Sequence, residues 1–174
     1  MSEVEKYITS IPDFPEPGII FRDITTVVLS PEGLKLAVDE MGDLLEGTDF
    51  DVFAGLESRG FIFGTALAYK MGKGIILIRK KGKLPRETVS QSYDLEYGKA
   101  EIEVHKDDVK PGDRVVLVDD LIATGGTLEA SIKLIESLGA KVVKVVCLIE
   151  LAGLKGRQRL GDIEVGSVLV YDGK

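Results

Sequence analysis

A chain of 174 residues, 44% of them apolar, is long enough to bury a real core and leaves little room for a second full domain. Its net charge of −7 excludes indiscriminate binding to nucleic acid or anionic membrane, so any anion site must be a local basic island. One cysteine and one histidine exclude an internal disulfide and a Cys/His metal cluster, and they agree with a reducing compartment. The opening, 1–7, lacks the basic and apolar regions of a signal peptide, and no apolar run reaches bilayer-spanning length, which predicts a cytoplasmic chain.

Residues 1–11 can open with a short helix, ended by Ile11-Pro12-Asp13-Phe14-Pro15-Glu16-Pro17-Gly18, where three prolines and a glycine preclude regular structure. The apolar segment 19–24 follows, with Arg22 and Asp23 embedded in it. Two readings stand for it. Phe21 is a core residue beside a surface ion pair, or it belongs to a lid that stacks on a planar base, worth about 1–3 kcal/mol in known stacking sites. Ser30 before Pro31 caps a helix over 32–45. Residues 51–56 form a strand, Glu57-Ser58-Arg59-Gly60 a turn, and 61–71 a helix. That turn aims at a helix N-terminus and carries a bidentate donor, Arg59, so it is a candidate anion site.

Residues 74–78 form a third strand, followed at once by Arg79, Lys80, Lys81, Lys83 and Arg86. A charge run is commonly a solvated face, but this one follows a strand end on the side of the other turns, where a pyrophosphate would need counter-charge. From 82 to 97 the chain is polar with little periodicity and reads as a long loop, a candidate mobile lid. Residues 100–105 alternate as in a half-exposed antiparallel strand paired with the base of that loop, with His105 exposed.

The densest stretch is 114–127. Val115, Val116, Leu117 and Val118 suit a parallel strand covered on both faces; two carboxylates, Asp119 and Asp120, then precede Ala123, Thr124, Gly125, Gly126 and Thr127. Small residues there let successive N–H groups converge on an anion at the start of the next helix, which is a phosphate cradle. Leu128, Ile132 and Ile135 mark the helix, with Thr127 read as its N-cap and Gly139 as its C′ residue. A strand at 141–149 completes a βαβ unit, and ligands gather beyond the carboxyl ends of such strands. The cradle lacks the Gly-Lys-Ser/Thr ending of a P-loop and the spacing of a dinucleotide fingerprint. Adjacent acids ahead of a phosphate loop suit a sugar phosphate, the loop holding the 5′-phosphate and the carboxylates accepting from ribose hydroxyls. Cys147 is a packed core residue, the segment 150–160 is mixed and basic, and 165–171 form a last strand. The alternation predicts an α/β fold with an open, mainly parallel twisted sheet and flanking helices.

Five runs, in order, resemble the adenine branch of the type I phosphoribosyltransferase family: Phe21-Arg22-Asp23-Ile24, Ala54-Gly55-Leu56-Glu57-Ser58-Arg59-Gly60-Phe61, Ile78-Arg79-Lys80-Lys81-Gly82-Lys83-Leu84-Pro85, Leu95-Glu96-Tyr97-Gly98-Lys99-Ala100-Glu101, and 116–127. The resemblance implies a single domain over 1–174, with an N-terminal hood over 1–30 that holds the base and a flexible lid loop over 80–98. It implies transfer of 5-phosphoribose from 5-phosphoribosyl 1-diphosphate to adenine in purine salvage, giving AMP and pyrophosphate, with Mg2+ bound through the diphosphate and not directly by the protein. A homodimer is implied, with no nucleic-acid or membrane partner. Carried over position by position, Ala123, Thr124, Gly125, Gly126 and Thr127 would hold the 5′-phosphate, and Asp119 and Asp120 the ribose hydroxyls. Glu57, Ser58 and Arg59 would line a pyrophosphate turn containing a cis peptide between Glu57 and Ser58. Arg79, Lys80 and Lys83 would face the diphosphate, Lys83 in a partner subunit's site. Ile20, Phe21, Arg22 and Leu121 would enclose the base, and Glu96, with Tyr97 beside it, would be the acid/base near the purine N7. Arg86-Glu87 departs from the small residues of relatives and bears on lid dynamics. A transferase for another base and a non-catalytic sensor of the diphosphate are the competing readings; the second would want a basic face or an added DNA-binding module.

Overall fold

The computed structural model describes residues 2–95 and 98–173. A 3-10 turn at Glu3–Tyr7 leads into strands β1 (Thr9–Pro12) and β2 (Ile20–Asp23), helices α1 (Thr25–Leu29) and α2 (Pro31–Asp43), then β3 (Val52–Leu56) and α3 (Gly60–Met71). Next come β4 (Gly74–Lys80), β5 (Thr88–Leu95), β6 (Gly98–His105), β7 (Arg114–Ile122), α4 (Gly126–Ser137) and β8 (Lys141–Leu151). Two 3-10 turns, Ala152–Leu154 and Gly156–Leu160, precede β9 (Glu164–Tyr171).

Seven strands form one sheet in the order β5-β6-β4-β3-β7-β8-β9, while β1 and β2 pair apart from it. From β4 to β9 every pairing is parallel, and β6 joins β4 antiparallel. Winding therefore reverses between β3 and β7, and at such a reversal the two carboxyl ends diverge and leave a crevice. Both candidate anion turns stand there, one after β3 and one after β7.

The unbroken apolar run of β7 is explained by burial on both sides. Val115 and Leu117 join a core with Leu128, Ile132 and Ile135 of α4, whereas Val116 and Val118 join a core with Phe63 and Leu67 of α3 and Met41 of α2. Each such side chain contributes about 1.5–3 kcal/mol on burial, so the sheet is held from both faces and its loops are free to carry chemistry. The Ser30 cap is present: its side chain accepts from the Gly33 N–H, with Pro31 at the first helical position.

Four expectations need correction. The segment 82–97 is not one long loop, because β5 pairs with β6 along its length, Val89 opposite Val104 and Tyr93 opposite Ala100. Val89, Gln91 and Tyr93 face inward while Ser90, Ser92 and Asp94 are exposed, a period of two that glutamine and small hydroxyl residues disguise. Ile11 and Pro12 lie in the β1–β2 ladder, the proline being tolerated at the last position of a short strand. His105 is buried, not exposed, since the Arg86 N–H donates to its Nε2 at 3.2 Å and Asp108 Oδ2 stands 3.2 Å from its Nδ1. Helix α4 opens at Gly126 with Gly125 as its cap, so Thr127 lies inside the first turn. Helix α1 had no counterpart among the expected elements.

Candidate active site

Beyond β7 the chain bends sharply. Gly125 has a φ of +78°, in the left-handed region that costs glycine least, and this turns the 123–127 loop around a cavity of about 110 Å3 shared with Asp119 and Leu121. The first turn of α4 forms its wall, with N–H groups that lack helical acceptors and a dipole that favours an anion. The loop is backed by another main chain. A Cβ on Gly125 would lie 2.5 Å from the Gly156 carbonyl oxygen, and one on Gly156 would run into the Ala123 carbonyl. Buried Glu150 holds that backing turn through Arg157 Nε at 3.0 Å and also accepts from the Ser167 hydroxyl at 2.9 Å.

The turn after β3 meets this loop side-on. Arg59 Nε donates to Asp120 Oδ2 at 2.6 Å, joining positions 61 apart in sequence, with the carboxylate buried and the guanidinium half exposed. A Cβ on Gly60 would lie 2.7 Å from the Val118 carbonyl oxygen, so only glycine lets α3 start this close to β7. The Glu57–Ser58 peptide is cis. Glu57 accepts from the Lys80 N–H at 2.9 Å and from Arg79 Nε at 3.2 Å. Burial works against the Glu57 charge, but these donors together hold its carboxyl below the ordinary glutamate range.

Glu57, Ser58, Arg59, Asp119, Asp120, Leu121 and Thr127 line a second cavity of about 300 Å3, and Glu57, Arg79, Lys80, Tyr93 and Thr127 border a third of about 120 Å3. Thr127 touches all three, so they form one crevice around the start of α4. Burial, and then the neighbouring Asp120 carboxylate, push Asp119 well above the ordinary aspartate range. The adjacent acids are therefore unlike: Asp120 is paired with Arg59, and Asp119 holds a proton more tightly than an ordinary aspartate.

Most sequence-derived site positions converge here. Lys83 does not border these cavities; its N–H donates to Glu103 instead. The basic cluster is also thinner than its sequence suggests, since Lys81 is paired with Glu101 at 2.8 Å and Arg86 with Asp108 at 2.7 Å. Ile20, Phe21 and Arg22 stand on β2 and do not line the three cavities. Phe21 meets Phe14 edge-on at 5.3 Å and is half-buried, neither a sealed core residue nor a free one, and Arg22 lies 4.0 Å over the Tyr171 ring. Glu96 and Tyr97 lie outside the described residues. Among the described residues no group of three His, Cys, Asp or Glu could hold a metal, and no described helix is long and apolar enough to cross a membrane. Sequence reasoning missed Tyr93, whose hydroxyl lies 3.4 Å from that of Thr127, Gly156 behind the cradle, and Glu103. Only Tyr93 had a local signal, the weak alternation of 88–94.

A mainly parallel sheet with two loop-to-helix turns meeting at its reversal is the setting in which the phosphoribosyl transferase domain model matches, over residues 34–169, and it places the chain in the phosphoribosyltransferase class. An adenine phosphoribosyltransferase of Agathobacter rectalis is 61% identical over 174 residues, covering 100% of both chains. The crystal structure of adenine phosphoribosyltransferase from Thermoanaerobacter pseudethanolicus is similar with a TM-score of 0.93 at 47% identity, over 97% of this chain and 98% of that one. The Saccharomyces cerevisiae enzyme, complexed with an imino-altritol bisphosphate and adenine, has a TM-score of 0.90 at 36% identity, over 96% and 97%. The chain belongs to the adenine phosphoribosyltransferase family, with the type I phosphoribosyltransferase fold.

Proposed function

We propose that the chain transfers the 5-phosphoribosyl group from 5-phosphoribosyl 1-diphosphate to adenine, releasing AMP and pyrophosphate, and that the crevice around Thr127 is where it does so. One observation carries this reading: a bent main-chain loop at the start of a helix faces an Arg59–Asp120 pair across the reversal of strand order. The relatives named adenine phosphoribosyltransferase, and the yeast one holding adenine beside a bisphosphate, support it.

In this account the N–H groups of 124–127 hold the 5′-phosphate, with the Thr127 hydroxyl beside them. Asp119 and Asp120 accept from the ribose hydroxyls and stabilise positive charge as the anomeric carbon becomes oxocarbenium-like. Glu57, Ser58 and Arg59, with Arg79 and Lys80, line the place of the diphosphate, where fixed donors favour the departing anion without reorganising. The base lies under Ile20, Phe21, Arg22 and Leu121, and Glu96 manages its proton with Tyr97 alongside. Holding both substrates in line replaces a bimolecular encounter, and no covalent intermediate is needed. When Mg2+ is carried on the diphosphate it supplies neutralising charge to the leaving group, and the carboxylates on the rim of the larger cavity suit the waters such a hard cation retains. Assembly is as a cytoplasmic homodimer, with Lys83 reaching the partner subunit's site.

Pyrophosphate release measured with adenine, hypoxanthine, guanine, xanthine and orotate in turn tests the reaction. Adenine alone should turn over well; turnover with another base and not with adenine would overturn the assignment.

A further inference from the structure

Away from the residues given roles above, the most constrained charge in the described chain is the carboxylate of Glu103, which is only 4% exposed. In the sheet it stands opposite Arg79 of β4 on one side and Ser90 of β5 on the other. Its partners are not the cationic side chains of lysine or arginine. Oε1 accepts the N–H groups of Lys83 at 3.1 Å and Leu84 at 3.0 Å, and Oε2 lies 3.4 Å from the Thr88 hydroxyl. Gly82, at a φ of +82°, makes the bend that turns consecutive N–H groups toward a single oxygen. Burial opposes the charge, yet the N–H groups of Leu84, Gly82 and Lys83 and the Thr88 hydroxyl keep the Glu103 carboxyl below the ordinary glutamate range.

The anchoring continues toward the crevice. The Lys83 carbonyl accepts from Arg79 Nη1 at 3.2 Å, and the rest of that guanidinium reaches Glu57, Nε at 3.2 Å and Nη2 at 3.4 Å. Arg79 is thus held at two points, by Glu57 on one edge and by the Lys83 peptide on the other, and it borders the cavity of about 120 Å3 next to Thr127. A buried ionised carboxylate is costly to keep without such donors, so its place at the foot of this one turn calls for a reason beyond stability.

We propose that Glu103 is a positioning residue for diphosphate binding: it fixes the Lys83 peptide, which fixes the second anchor of Arg79 and so aims that guanidinium into the crevice. The proposal rests on the reading of Arg79 as a diphosphate contact. Without the carboxylate, the 82–84 turn loses its acceptor and Arg79 keeps Glu57 as its one remaining anchor, so its free edge is no longer aimed.

The test is a split in Michaelis constants, measured with the full chain and both substrates. Glu103→Ala should raise KM for 5-phosphoribosyl 1-diphosphate about tenfold, the worth of roughly one hydrogen bond to a charged group, and leave KM for adenine unchanged. Glu103→Gln keeps an oxygen for the two N–H groups and an amide that can donate to Thr88, so it should stay within about threefold of the unaltered protein. Glu101→Ala, which loses the Lys81 pair and a contact with Ser90 but leaves the 82–84 turn its acceptor, should change neither constant. A Glu103→Ala protein that raises both constants alike, or a Glu103→Gln protein as impaired as the alanine, would overturn the proposal. Arg79→Ala separates the two layers: if it leaves KM for the diphosphate unchanged, the role of Arg79 itself is wrong, whereas a rise there with none in Glu103→Ala removes only the role of Glu103. Should Glu103→Ala fail to fold, amide exchange of the unaltered protein decides, because Lys83 and Leu84 should be protected and exchange at open-loop rates would refute the anchoring.

Discussion

Gly156→Ala is the sharpest perturbation of the 123–127 loop that replaces no residue of that loop. An alanine Cβ there would overlap the Ala123 carbonyl oxygen and stand 3.0 Å from both the Gly125 nitrogen and Ile122 Cγ1. The crowded atoms are mainly main chain, so no rotamer change relieves them and the loop must retreat. Overpacking of this kind costs about 1–3 kcal/mol, which for a chain of this size lowers Tm by about 2–12 °C. A retreat that weakens one N–H bond to the phosphate, worth about 1.5–3 kcal/mol when the acceptor is charged, raises KM for the diphosphate substrate about tenfold or more. Adenine should bind as before. Gly153→Ala is the control: its Cβ would be 2.6 Å from the Asp172 carbonyl oxygen, a main-chain overlap of the same kind though less severe and away from the 123–127 loop, so it should lower Tm with no change in KM. Steady-state kinetics with thermal melts of both variants decide the matter. Gly156→Ala with lowered Tm and an unaltered KM would refute the buttress.

Other expectations are as direct. Because burial and Asp120 raise the Asp119 carboxyl, the stability of its protonated form is fully present below about pH 4 and is lost as pH rises. Asp119→Asn should therefore melt near the unaltered protein at pH 4 and increasingly above it toward neutrality, while losing turnover; a pH-independent difference in Tm contradicts the shift. Asp120→Asn removes the charge opposite Arg59 and should lower kcat/KM for the diphosphate by roughly 10- to 100-fold, against which an unchanged value would count. Tyr171→Ala frees Arg22 from a ring 4.0 Å away and should raise KM for adenine a few-fold, as expected for about 0.5–1 kcal/mol of cation–π contact, with KM for the diphosphate the internal reference. Glu96→Ala should depress turnover far more than diphosphate affinity measured by calorimetry, and an equal fall in both would remove its acid/base role.

The parts of the fold that could be read ahead of the structure are those whose signal is local. Val115 to Val118 announce a strand buried on both faces, Leu128, Ile132 and Ile135 a helix stripe, and Ser30-Pro31 a helix start, because each depends on its own neighbours along the chain. The bend at 123–127 was legible for the same reason, five small residues after a buried strand. What was hidden depends on contacts between distant segments. Gly156 matters only because its main chain meets Ala123 and Gly125, and Glu103 only because the 82–84 turn folds over it. The strand β5 was missed because Gln91 and the serines blur its alternation, and because its pairing with β6 supplies what propensity does not. The Lys-Arg run misled in the other direction: three of its five cations are paired, Arg79 with Glu57, Lys81 with Glu101 and Arg86 with Asp108, which no charge count along the chain reveals.

A structure of the chain crystallised with AMP bears most directly on all of this. The nucleotide's phosphate should lie in the 123–127 loop, taking N–H bonds from the first turn of α4, with its ribose hydroxyls against Asp119 and Asp120. A nucleotide bound elsewhere, with that loop unoccupied, would contradict the account at its root.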